Sequence, residues 1–388
     1  MLDKLHITIV GAGIGGLALA RILAMRGAQV TVLEQAAAIT EVGAGLQISP
    51  NGLAVLRAMG LEEPLMASGA VLADTVRLKD YKGADVVALD LTQLSPQKYY
   101  FVHRADLIAL LEQGAREAGV TIRLNEHVEQ VSDGSKPCVT LKSGARHEAD
   151  VVVGADGVHS VVRKVLNGGR QPFFTGNVAW RAVVPNVYGR VNDAQVHMGP
   201  HRHLVSYPLR DRAFVNLVAV QERRDWVEES WTLHDDPANL CEAFSDFGEE
   251  PRAMLAAVTE VKQWGLFRHE VAQNWHGERL ALLGDAAHPT LPFMAQGAVM
   301  ALEDAWALGV ALERADSVEQ GLASYQDMRI ERATKVINTA TGNAWKYHLS
   351  FGPLRFAAHT ALRLGGRVAP SAMLKQFDWI YGYDVTQL

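Results

Sequence analysis

The apolar positions change period twice within the first thirty-four residues. Residues 5–10 form a β-branched apolar run, the pattern of a buried strand, and the run stops at Gly11-Ala12-Gly13-Ile14-Gly15-Gly16. Residues 17–26 then read as a helix, and residues 29–33 as a second strand ending at Glu34. Further along, Ser49-Pro50-Asn51 followed by Leu53, Leu56, Met59 and Gly60 predicts a helix with proline in its first turn and glycine past its end. Residues 71–90 alternate polar and apolar positions around a hairpin turn at Lys82-Gly83, and residues 107–118 return to helical spacing.

The middle of the chain breaks this βα rhythm. Between residues 178 and 220 there are three or four strand-like runs, for example 178–184, 203–207 and 213–220. An antiparallel sheet inserted into an α/β dinucleotide-binding domain accounts for both patterns. Long helices are predicted over 296–313 and from 318 to about 347, and the tail 349–388 mixes helix with aromatic residues. The expected division is discontinuous: 1–75, 100–170 and 268–340 in the dinucleotide-binding domain, 76–99 and 171–267 in a substrate domain, and 341–388 in a C-terminal helical region.

Composition narrows the function. A chain of 388 residues with 48% hydrophobic and 21% charged residues has ample core. Its net charge of -6, without a dense basic block, speaks against nucleic acid as the partner. Cys138 and Cys241 stand alone, so no zinc site or disulfide framework is signalled, and a reducing, cytoplasmic setting is expected. The apolar stretch 7–25 carries four glycines and Arg21, which argues against a membrane span or signal peptide. Neither G-x-x-x-x-G-K-[ST], G-x-S-x-G nor H-E-x-x-H occurs, which disfavours phosphoryl transfer, α/β-hydrolase chemistry and zinc proteolysis.

Each glycine of the first turn has a mechanical reason. Gly11 lets the strand turn sharply, Gly13 lets a pyrophosphate approach the backbone, and Gly16 lets the helix pack closely on the sheet. The helix N-terminus offers N–H groups to phosphate, and Glu34 stands where an adenosine ribose would be held. Two further apolar strands run into glycine and aspartate: Val151-Val152-Val153-Gly154-Ala155-Asp156-Gly157, followed by Ser160 and Arg163, and Leu280-Ala281-Leu282-Leu283-Gly284-Asp285-Ala286-Ala287-His288-Pro289.

With these three motifs in this order, the chain resembles the single-component FAD-dependent aromatic hydroxylases, in particular the branch with salicylate, 3-hydroxybenzoate and 6-hydroxynicotinate hydroxylases. The resemblance covers essentially the whole chain. It extends to Gly43-Ala44-Gly45-Leu46-Gln47-Ile48-Ser49-Pro50-Asn51, His103-Arg104-Ala105-Asp106-Leu107, Ala179-Trp180-Arg181 and Trp379-Ile380-Tyr381-Gly382-Tyr383-Asp384. The tryptophan signature of the flavin halogenases is missing, since Trp226 and Trp231 lie in a charged segment.

The resemblance implies a glutathione-reductase-type, Rossmann-like FAD domain with an inserted substrate sheet. It implies that Gly11, Gly13, Gly16 and Glu34 hold the ADP half of FAD, that Arg104 meets phosphates or ribose, and that Asp285 meets the ribityl chain or pyrophosphate. Asp156 would serve FAD and the nicotinamide cofactor; the alternative is a turn residue capping the next helix. A helix opening at Gln296-Gly297-Ala298 would aim N–H groups at the reduced flavin's negative charge, with Pro289 and Pro292 stiffening the approach and Pro292 near the substrate. Many family members have glycine where this chain has Ala295. Glu303 and Asp304 match the family pattern and read as structural.

The implied reaction consumes NADH or NADPH and O2 through a flavin C(4a)-hydroperoxide. That electrophile needs an electron-rich ring, and a phenol of pKa about 10 needs a base to become one. His203 and Tyr207, i and i+4 on one strand face, match a pair that several members place beside the substrate, with His203 as base and Tyr207 as hydrogen-bond partner. His197 and His201 compete for the role. Gln47 is a candidate substrate contact and Arg181 a candidate carboxylate anchor, unless Arg181 serves a structural ion pair. The substrate is expected to be a small phenolic or hydroxypyridine-type aromatic acid, the chain a monomer or homodimer without metal, membrane or nucleic acid. A flavin oxidase or reductase without hydroxylation, and a non-catalytic dinucleotide-binding sensor, remain as alternatives.

Overall fold

The computed structural model describes residues 1–39, 44–169, 171–223 and 234–388. Gly43, Trp226 and Trp231 lie outside them. The architecture is α/β, with a parallel sheet at one end and a larger sheet at the other. In the parallel sheet the strand order is Leu280–Leu282, Val151–Gly154, His6–Val10, Gln29–Leu33 and Thr121–Arg123. Its central strands are runs of buried Val and Ile because helices cover both faces. The helix Ile14–Met25 packs on Gly297–Arg314, with an unbroken set of buried residues from Ile14 to Ala20.

Eight strands form the second sheet: His234–Asp235, Val261–Arg268, Phe173–Pro185, Phe214–Glu222, Arg202–Leu209, Asp193–Gly199, Thr75–Asp80 and Asp85–Asp90. All pairs are antiparallel except Asp193–Gly199 with Thr75–Asp80. Phe173–Pro185 begins earlier than the apolar run suggests because it continues across a register shift to pair with Val261–Arg268. Asp193–Gly199 is buried along its whole length although Asp193, Gln195 and His197 are polar. Arg190 and Arg77 pair with Asp193, and Lys79 donates to Gln195, while the His197 ring has no hydrogen-bond partner and lies 4.0 Å from Glu250.

The helices Gly297–Arg314 and Val318–Tyr347 pack against one another, and the shorter helices Gly352–Val368, Pro370–Lys375 and Asp378–Tyr381 complete the C-terminal region. A buried ionic cluster fastens the two long helices: Arg329 pairs with Glu303 at 2.7 Å and Asp304 at 2.8 Å, and Arg332 pairs with Glu303 at 2.8 Å. Among the described residues no helix is long and apolar enough to cross a membrane.

Candidate active site

The Gly-rich turn, the Gly154–Gly157 turn and the Gly284–Ala286 turn sit side by side because their strands are parallel neighbours. Gly11 has φ +104°, and a Cβ there would collide with the Ala155 carbonyl. A Cβ at Gly16 would strike the Gly11 carbonyl oxygen, so this glycine is required by helix–strand contact. At Gly13, by contrast, a Cβ would meet no protein atom within 4 Å. That glycine faces open space at a helix N-terminus, which is where a pyrophosphate fits. Glu34 accepts hydrogen bonds from the Ala12 N–H at 2.8 Å and the Ala36 N–H at 2.9 Å. Each carboxylate oxygen retains a lone pair for a ribose hydroxyl.

The second motif braces the third. Arg163, buried, donates to the carbonyls of Ala286 and Ala287 at 3.0 Å each and to that of Glu270 at 2.6 Å. Asp156 lies in the turn after Val151–Gly154. Its Oδ2 accepts the Val161 N–H at 2.7 Å at the start of the helix Val161–Asn167, whose N-cap is Ser160, and its Oδ1 has no hydrogen-bond partner in the protein. Asp285 alone is exposed in a turn whose neighbours are buried. Protein encloses it on the remaining sides, which raises its carboxyl pKa, while His288 and Arg104 draw it back down. Asp285, with the Arg104 charge near enough to act on it, and the open Gly13 turn are a donor and acceptor set suited to the pyrophosphate and ribityl hydroxyls of a flavin dinucleotide.

Beyond Asp285 the chain is anchored from below. His288 shares a hydrogen with Asp304 at 2.5 Å, and the Gly284 N–H donates to the same carboxylate at 3.1 Å. Burial works to raise the Asp304 pKa, but His288 and Arg329 outweigh it and hold the group at about 2. Pro289 is buried, and Pro292 opens the short turn Pro292–Met294. Ala295 follows in the left-handed region, φ 53° and ψ 31°. The Gln296 side chain turns inward, donating to Ser49 Oγ at 3.0 Å and accepting from Asn51 at 3.1 Å. What Gln296, Gly297 and Ala298 offer a cofactor is therefore backbone at the start of Gly297–Arg314.

One face of the eight-stranded sheet meets this loop. The register places His203, Val205 and Tyr207 on it, opposite Val220, Val218 and Asn216, with Ala179 and Arg181 on the strand beyond. His203 and Tyr207 share the face as expected, but four residues of strand separate them by about 13 Å. They cannot both meet one substrate atom. Arg181 falls level with Val205, between them, stacked over Trp264 at 4.8 Å. Burial raises the Tyr207 pKa, partly offset by the Arg181 charge. Gly45–Ile48 lies against the same face: the Gly45 N–H donates to Asn216 at 2.6 Å, and Gln47 accepts from Tyr99 at 2.7 Å.

His203 is 3% exposed and packs against Phe293, Tyr347 and His348, with ring centroids 5.6, 5.4 and 4.9 Å away. Its Nδ1 lies 2.7 Å from His348 Nε2. Of its competitors, His197 is fully buried on the strand Asp193–Gly199 near Glu250, and His201 is exposed at a hairpin tip. His348, Glu222, Phe293 and Tyr347 were not singled out in the sequence; His348 and Glu222 come from segments with no local motif.

A model of the FAD binding domain matches residues 4–340. The chain is 34% identical over 402 residues to 3-amino-4-hydroxybenzoate 2-monooxygenase PtmB3 of Streptomyces platensis, covering 98% of this chain and 97% of that protein. It is 33% identical over 397 residues to 3-hydroxybenzoate 6-hydroxylase of Klebsiella oxytoca, covering 99% and 98%. The chain belongs to the FAD-dependent aromatic monooxygenases. The fold of this monooxygenase matches that of CtdE crystallised with FAD and substrate 4, with a TM-score of 0.86 at 23% identity over 99% of this chain and 96% of that one. FAD is its cofactor.

Proposed function

We propose that this monooxygenase hydroxylates a phenolic or hydroxypyridine-type aromatic acid, converting the acid, O2, NAD(P)H and a proton into hydroxylated acid, water and NAD(P)+. The observation that carries the reading is the single sheet face with a buried histidine at one end, an arginine in the middle and a tyrosine at the other, closed by Phe293 of the cofactor loop. When bound, the flavin supplies electron transfer from NAD(P)H and activation of O2. Gly11, Gly13, Gly16 and Glu34 would hold its ADP half, Arg104 and Asp285 its pyrophosphate and ribityl chain, and the backbone N–H groups from Gln296 to Ala298 would stabilise negative charge on its reduced form.

The substrate's ring lies across Val205 and Val218. Its carboxylate meets Arg181, a charge-assisted contact backed by Tyr207, and its hydroxyl lies at the His203 end. With Nδ1 engaged by His348, Nε2 is the nitrogen left to accept the phenolic hydrogen. Burial and then the His348 ring hold His203 well below its ordinary pKa, so the imidazole rests neutral with a lone pair free at Nε2, and it can take the proton only by passing another on. Pro292, Phe293 and Tyr347 keep water from this end, and Gln47 lines the approach with Tyr99. On this reading 1–75, 100–170 and 268–340 serve the cofactor, and 76–99 and 171–267 the substrate.

The test is purification with FAD followed by NAD(P)H oxidation with 3-hydroxybenzoate, 6-hydroxynicotinate, salicylate and 3-amino-4-hydroxybenzoate, with product analysis. Coupled hydroxylation of at least one acid, lost in His203→Ala with FAD retained, is expected. NAD(P)H consumption yielding stoichiometric hydrogen peroxide with every acid would overturn the proposal in favour of an oxidase.

A further inference from the structure

We infer that His348 and Glu222 are positioning residues that connect His203 to solvent, forming a proton conduit from the aromatic pocket to the surface at His201. The inference rests on the assignment of His203 as the base. The chain of contacts is continuous: His203 Nδ1 to His348 Nε2 at 2.7 Å, His348 Nδ1 to Glu222 Oε1 at 2.9 Å, and Glu222 Oε2 to His201 Nδ1 at 2.7 Å. Exposure rises along it, from 3% at His203 and 4% at His348 to side chains 41% exposed at Glu222 and 60% at His201.

The proton balance closes without a further reactant. The phenol O–H breaks as an N–H forms at His203 Nε2; the His203 Nδ1 hydrogen moves to His348 Nε2; the His348 Nδ1 hydrogen moves to Glu222 Oε1, which releases it to water. The phenolate oxygen remains against the new His203 Nε2–H. At no point must the pocket hold a buried imidazolium. That matters because burial disfavours the charged form of both rings, with Glu222 partly compensating at His348. Burial also opposes ionisation of Glu222, yet hydrogen bonds from His201 and His348 leave it below its ordinary pKa and able to accept.

Among the described residues, the groups against the His203 ring do not supply another route. Against the His203 ring stand Phe293 and, from the long helix, Tyr347, whose pKa burial raises. Nor are the side chains needed as a fastening. The His201 N–H already donates to the His348 carbonyl at 3.1 Å, and the Glu222 N–H to the His201 carbonyl at 2.8 Å, so backbone alone ties the helix end to the hairpin.

The experiment mixes FAD-loaded protein rapidly with 3-hydroxybenzoate, 6-hydroxynicotinate and 3-amino-4-hydroxybenzoate in weak buffer, following the ultraviolet band of the ionised ring and proton release to a pH indicator. His348→Ala should bind the responsive acid with unchanged affinity, ionise it at least about tenfold more slowly, the low side of general acid–base effects, and recover speed with added imidazole. Glu222→Gln keeps the shape of the contact but cannot take up the proton, so it should slow ionisation without imidazole rescue. Wild-type speed in both variants, or slowing in His348→Ala that imidazole fails to restore, would overturn the conduit while leaving His203 as base, which His203→Ala checks separately. If wild-type protein ionises none of the acids, the assignment of the pocket falls and the conduit with it.

Discussion

Gly45 offers a test of how tightly the substrate face is built. Its φ is not left-handed, so alanine is conformationally permitted there and its effect is steric alone. The added Cβ would lie 2.5 Å from Tyr207 Cε2, 2.8 Å from Tyr207 Oη and 2.8 Å from Asn216 Cγ. Non-bonded carbons stay beyond about 3.5 Å, so one side must retreat by about 1 Å. Tyr207 has no room, being 4% exposed with its ring 5.1 Å from that of Phe101, and Asn216 is held by the Gly45 N–H. Overpacking of this kind costs about 1–3 kcal/mol. With an unfolding entropy of about 2.1 cal/mol/K per residue, Gly45→Ala should lower Tm by about 1–4 °C by circular dichroism. It should also raise the KM of the aromatic acid if Tyr207 lines the substrate pocket as proposed. Tyr207→Leu removes the obstructing ring, so the double variant should be more stable than the sum of the single effects predicts, with a coupling of at least about 0.5 kcal/mol. Strict additivity, or a Gly45→Ala protein as stable as wild type, would refute the packing described.

The two kinds of glycine in the first turn should separate experimentally: Gly13→Ala melts like wild-type protein when both are free of FAD but fails to retain the cofactor on a desalting column, whereas Gly16→Ala loses stability even without it. Ala295→Gly relieves a left-handed alanine worth about 1 kcal/mol, so thermal melts should show an equal or higher Tm. Asp304 titrates at about 2 in the folded chain against an ordinary 3.8, so its stabilisation, about 2 kcal/mol, is present above pH 4 and lost as pH falls from 4 to 2; the stability gap between wild type and Asp304→Asn in urea melts should narrow across that range. Tyr207→Phe should raise KM by about fivefold, the worth of one hydrogen bond, while leaving phenol ionisation intact, and loss of ionisation in that variant would place the hydroxyl at the wrong end of the pocket.

The cofactor half was legible because its constraints are local. A buried strand, a glycine turn and an amphipathic helix each write their period into adjacent residues, and the collisions a Cβ would cause at Gly11 and Gly16 explain why glycine stands there. The same local logic reached the face shared by His203 and Tyr207, since a period of two determines side but not distance. It could not reach what depends on pairing between remote segments. The strand Asp193–Gly199 hid because Asp193 and Gln195 find partners in Arg77 and Lys79 of the neighbouring strand and in Arg190 of the preceding loop. Asp156 and Gln296 were legible as positions at functional turns, but which way each side chain faces is decided by Val161 in one case and by Ser49 and Asn51 in the other. The sharpest case is the proposed base, His203. A histidine 3% exposed is a poor proton acceptor on its own, because charging it without water is costly. Its usefulness depends on His348, 145 residues away in sequence, and on Glu222, a further 126 residues back from that. Sequence spacing identifies a histidine on the correct face, while its competence as a base is a property of the tertiary contact between the end of the long helix and the substrate sheet.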